Sequence, residues 1–179
     1  MRGLHGREGM QVESGQGMRP EDLADQIEKA FGPEQYPGDN RLAKGSSMEA
    51  TEVSTFLRGR RWQDLSVEEL TRNHESLFFM TADAVRYYIP AFLIASVRHY
   101  DDSDQIPSTL VFFLNPCAMN DPHYQSRFRE RFGLLNDSER NAIKAFLEHL
   151  RDTHSEDFPS SSGKNQASQV LEAWAKREW

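Results

Sequence analysis

The sequence predicts an all-α protein: a single irregular helical domain of six to eight helices around one buried, proline-kinked helix near residues 81–98. Three observations predict it. The most apolar stretch, HESLFFMTADAVRYYIPAFLIASVRHY (residues 74–100), is too short and too charged to lie in a bilayer. Only 11 residues, Tyr87 to Val97, are uncharged between Arg86 and Arg98, whereas a membrane span needs about 20. Several other segments repeat apolar residues at helical spacing. No pair of segments alternates with the two-residue period of paired strands.

The first helix is expected over RPEDLADQIEKAF, after a Gly-, Glu- and Gln-rich extension, residues 1–17, that reads as disordered. Pro20 suits a first turn, and Glu21 and Asp22 complement its dipole. Leu23, Ile27 and Ala30 or Phe31 share one face. Met18 stands where the pattern begins and is a candidate start of the natural chain. The extension has no apolar core of the secretory type. Gly32-Pro33 ends the helix, and Pro37-Gly38 marks a turn. A second helix is expected from Met48 to about Arg58, with Val53, Phe56 and Leu57 inward. Gly59 closes it, and Trp62 and Leu65 follow as core plugs.

Ser66-Val67-Glu68-Glu69 has the spacing of a capping box, so a short helix should run to about Asn73 with Leu70 inward. LFFM (residues 77–80) reads as a short buried strand or an apolar turn. Thr81 is an N-cap for the central helix, which is apolar almost all round and so surrounded by protein. Pro90 removes the hydrogen bond to the Arg86 carbonyl. Either the helix kinks there, which is the expectation, or one helix ends near Tyr88 and another begins. HYDDSDQIP is an acidic loop. STLVFFLNP has strand propensity, but a strand without a partner leaves its backbone unpaired, so a short buried helix is expected over residues 107–116. A helix from about His123 to Arg131 carries Tyr124 and Phe128, with Phe132 just beyond. LNDSERNAIKAFLEHLRD is the clearest amphipathic segment, capped by Asn136 or Asp137, with Ile143, Phe146, Leu147 and Leu150 as its stripe. A Ser-rich linker (residues 153–164) leads to a last helix burying Val170, Leu171 and Trp174.

The bulk composition narrows the function classes. Lysine and arginine number 21 against 28 acids, giving a formal net charge of −7. That balance repels polyphosphate and disfavours general nucleic-acid binding. It suits a basic partner. The single cysteine, Cys117, excludes an intrachain disulfide and fits a reducing compartment.

YPGD (residues 36–39), FLRGRRWQDL (56–65), His74 and TADAVRYYIPAFLIAS (81–96) occur together in this order. The set resembles a family of bacterial proteins of unknown function that share a YPGD … FxG(K/R)xWxxL … H … TxEAxRYYLPAFL pattern. The resemblance extends over roughly residues 23–150. Asp83 stands where the pattern has Glu, and Ile89 where it has Leu. The resemblance implies a cytoplasmic bacterial protein and assigns no functional residue.

His74, Glu75, Arg86 and Tyr87 form the best polar constellation, with His and Glu as base and acid and Arg86 as an anion binder. The competing reading is structural: Asp83 pairs with Arg86 at i,i+3, His74 caps a neighbouring backbone, and Tyr87 lends its hydroxyl to the core. No phosphate cradle or nucleophile elbow accompanies them, and no cofactor is implied. No metal site is expected: His149 and His154, five residues apart, fall on different helix faces, and His74-Glu75 does not continue as HExxH. Asp101, Asp102 and Asp104 lack the glycine and closing glutamate of a calcium loop. They read as a solvated loop or as part of an acidic docking face. The leading expectation is a non-catalytic binding protein, of the immunity type, whose acidic face fills the basic cleft of a toxin domain. The alternatives are an enzyme with a His74/Tyr87 pocket, and a regulatory scaffold that recognises a peptide.

Overall fold

A computed structural model describes residues 18–176. The expected disordered extension, residues 1–17, lies outside the described residues. Among those described there are eight α-helices: α1 (Pro20–Phe31), α2 (Met48–Leu57), α3 (Val67–Arg72), α4 (Ala82–Arg98), α5 (Ile106–Phe113), α6 (Pro122–Phe132), α7 (Asp137–Thr153) and α8 (Gln166–Lys176). Five 3-10 turns join them. Their one β-type pairing is an isolated antiparallel bridge between Ala43 and Met80. The fold is all-α, as expected. No described helix is long and apolar enough to cross a membrane.

Helix α4 is the central beam. Of its 17 residues, 12 are buried. Thr81 caps it by accepting the Ala84 amide, and the helix runs unbroken through Pro90. It is therefore one element, not two. The seal around it opens at Ile94. Ile94 is half-buried and, with Trp62, Leu65, Leu70 and Ala91, lines an open groove of about 340 Å³.

The other helices close around the beam in a ring. Helix α1 packs on α4 and α7, α7 on α8, α8 on α5, and α5 back on α4; α6 also lies on α4. Each contact follows from a sequence stripe. Leu23, Ile27, Ala30 and Phe31 of α1 are buried, as are Ile143, Phe146, Leu147 and Leu150 of α7. In α6, Tyr124, Phe128 and Phe132 recur every four residues and are all buried. Phe132 meets Phe113 edge-on at 5.5 Å and Trp174 at 5.6 Å. The Trp174 indole N–H donates to the Leu114 carbonyl at 2.7 Å and so ties α8 to the end of α5.

The ambiguous stretches resolve by backbone accounting. The 107–116 run is helical as far as Phe113, and no strand lies beside it among the described residues. LFFM is neither strand nor plain turn: a 3-10 turn spans His74–Phe78, and Met80 makes the isolated bridge. Three residues expected inward, Phe56, Leu65 and Leu171, are only half-buried against the core.

Candidate functional site

The motif residues gather where the YPGD turn and the Gly59 turn meet one face of α4. Gly38 and Gly59 take positive φ values of 92° and 66°, which suit glycine at these two turns. The Tyr36 hydroxyl donates to Asp39 and accepts the Gly59 amide at 2.9 Å. Its ring meets Tyr87 edge-on at 5.7 Å, and Tyr87 meets Tyr88 at 4.8 Å. The Tyr88 hydroxyl shares its proton between the carbonyls of Leu57 and Arg60, at 3.0 and 2.7 Å. The Leu57 carbonyl ends α2, where helical partners run out, and Arg60 lies in the turn that follows. Burial raises the pKa of both tyrosines. The Trp62 backbone amide partly offsets this at Tyr87. The three tyrosines are fasteners between loop backbone and helix.

Arg86 is the hub of a second cluster. Its guanidinium grips Glu139 through two bonds of 2.9 and 3.0 Å and reaches Glu34 at 3.0 Å. Glu139 is fully buried, and it also completes a capping box with Asn136 at the start of α7. Burial holds the Glu34 carboxyl above the usual range, against the pull of Arg86. The expected i,i+3 pair is not formed. Asp83 instead meets Arg41 at 3.0 Å, because Arg86 turns toward the two glutamates.

His74 and Glu75 lie elsewhere. The His74 ring Nδ1 is 2.8 Å from the Thr109 hydroxyl, not at a backbone cap. Both residues line a shallow cleft with Glu49, Glu52 and Arg72, whereas Arg86 lines a different one with Glu34, Tyr36 and Arg41. The four residues first grouped as a catalytic constellation are thus divided between two places. Among the described residues no group of three His, Cys, Asp or Glu side chains is arranged to hold a metal.

The acidic residues form the third feature. Tyr100–Asp102 is a 3-10 turn, and Asp101, Asp102 and Asp104 are exposed. Asp104 has a φ of 44°, a strained value for a non-glycine residue. This turn packs against the one after α7. The Tyr100 ring stacks on His154 with centroids 3.4 Å apart, and its hydroxyl donates to Asp157 at 2.8 Å. Glu156 and Asp157 thereby join the three aspartates at one end of the molecule. None of Asp101, Asp102, Asp104 and Glu156 has an ion pair among the described residues, and Asp157 has only His154, at 3.9 Å. Burial lowers the pKa of His154, against the pull of Asp157 and Asp101, and so favours the neutral imidazole. His149 and His154 meet edge-on at 5.8 Å despite their spacing. His154 caps α7 outside the helical register, which is why helical-wheel reasoning misplaced it.

No curated protein and no solved structure matches the chain. A family described as of unknown function (DUF6714) matches residues 21–178, nearly the whole of the described domain, and the chain belongs to that family.

Proposed function

We propose that the protein is a non-catalytic bacterial binding protein that works in the cytoplasm. In this reading it is an immunity protein that neutralises a cognate toxin by docking its acidic end on a basic active-site cleft. The observation that carries the reading is the uncompensated charge at that end: Asp101, Asp102, Asp104 and Glu156 without ion pairs among the described residues, and Asp157 beside an imidazole whose neutral form burial favours. Such a surface steers a basic partner into register and accelerates encounter. The Tyr100–His154 stack holds the two acidic turns together before any partner arrives, which limits the entropy lost on binding.

The test is association with the basic domain encoded by a neighbouring gene, followed by surface plasmon resonance from low to high salt. A 1:1 complex is expected, with an on-rate that falls steeply as salt rises. The triple variant Asp101→Asn, Asp102→Asn, Asp104→Asn should slow association at least about tenfold while leaving the melting temperature unchanged. Unchanged association in that variant removes this face from the reading.

A further inference from the structure

A cation without a counter-charge lies on the other side of the α4 N-terminus. Arg131 of α6 is half-buried and has no salt bridge among the described residues. One N–H donates to the Phe78 carbonyl at 2.8 Å, and the guanidinium sits over the Phe113 ring at 4.9 Å. A guanidinium carries five N–H donors, so most of its donor capacity has no acceptor among the described residues. Arg127, one turn earlier on the same helix face, is exposed and has no carboxylate partner among the described residues either. Burial lowers the pKa of Arg131 first, and the Arg127 charge lowers it further. Buried charges in proteins are normally paired. Here two like charges face each other instead, on a chain whose net charge is −7.

The surroundings complete a site for an anion. Lys44 lines the same cleft, of about 260 Å³, together with Phe78, Phe79, Met80 and Ala82. Lys44 is held by Glu130 at 3.0 Å, so three cations face a single carboxylate. Ala82 opens the 17-residue helix α4 and brings the helix's positive end to the cleft wall. The carboxylate of Asp83, next in that turn, is drawn away by Arg41 into a different cleft. We infer that the cleft between Lys44, Arg127, Arg131 and the start of α4 binds a phosphate dianion, either free or carried by a small monoester. Arg131 is already fixed by Phe78 and Phe113, so it presents its donors at little entropic cost. The aromatic and methionine walls suit a compact organic group attached to the phosphate. This inference does not depend on the acidic end.

The experiment is isothermal titration of the full chain with inorganic phosphate and with phenyl phosphate, at constant ionic strength, paired with backbone amide NMR. Both probes should bind one to one and shift the Ala82 amide. Arg131→Gln and Arg127→Gln should each raise Kd at least about tenfold. Arg127 is exposed, so Arg127→Gln tests the site even if the Arg131 variant is poorly folded. Tighter binding of phenyl phosphate supports an esterified ligand, and equal binding supports the free ion. Absence of binding by both probes, or equal binding by wild type and Arg127→Gln, overturns the inference.

Discussion

Replacing Glu139 by Gln tests whether the Arg86 cluster holds the domain together. The amide preserves the shape and still accepts the Asn136 N–H, so the capping box survives. It removes the charge from a fully buried group that accepts two bonds from Arg86. Truncating one side of a buried pair costs about 3–5 kcal/mol. Arg86 is 29% exposed and keeps Glu34 at 3.0 Å, so it is not left bare, and the expected loss falls to about 2–3 kcal/mol. For a domain of this size that lowers the melting temperature by about 4–12 °C. Urea unfolding followed by far-UV circular dichroism should give a lower midpoint with an unchanged slope. A double-mutant cycle with Arg86→Met should return a coupling of at least about 1 kcal/mol. Glu34→Gln should cost less, because its carboxyl is partly solvated and held above its usual pKa by burial. That shift means the folded state prefers the protonated form, so its contribution weakens as pH rises past the ordinary glutamate value. The reasoning is refuted if Glu139→Gln lies within about 0.5 kcal/mol of wild type, or if Glu34→Gln costs more.

Three further outcomes are expected. Tyr88→Phe takes the hydroxyl donor from the Arg60 carbonyl and leaves the Leu57 carbonyl only the Arg60 amide, and should destabilise by about 1–2 kcal/mol in the same urea assay. Trp174→Phe removes the bond to Leu114 and opens space beside Phe132, so a loss of about 2–3 kcal/mol should appear in calorimetry. Two acid-side effects should separate by pH. His149 and His154 have lowered pKa values from burial, so folding favours their neutral forms; that stability is present above pH 6.5 and declines as pH falls below it. Glu69 is held down to about 2, chiefly by Arg60, so its contribution is present above pH 4.5 and fades as pH falls toward 2. Melting curves against pH should show a smaller first slope in His149→Gln and a smaller second slope in Glu69→Gln.

Much of the fold was legible because stripes and caps are local. The α1, α6 and α7 faces and the Ser66–Glu69 box can be read from spacing alone, and the structure contains them. The α5 segment needed an argument against its own propensity, and the missing partner strand supplied it. The clusters were not legible, because they depend on tertiary approach. Glu139 looks in sequence like a solvated first-turn acid; only tertiary approach buries it and brings Arg86 to it. Arg86 has an acid three residues before it, yet it bonds 53 residues away. Asp101 to Asp104 were visible as an acidic run. Their union with Asp157 rests on the Tyr100–His154 stack, which no spacing rule foretells.

The closed ring of helices bears on how the chain is made. Its last link, α8 on α5 through Trp174 and Leu114, comes from the last helix of the domain to be synthesised. Until then a nascent chain that already holds α1 to α7 presents the Phe113, Phe128 and Phe132 rings to water. The domain therefore closes only after α8 has been made, and the interval before α8 docks is when chaperones or self-association compete for the growing polypeptide.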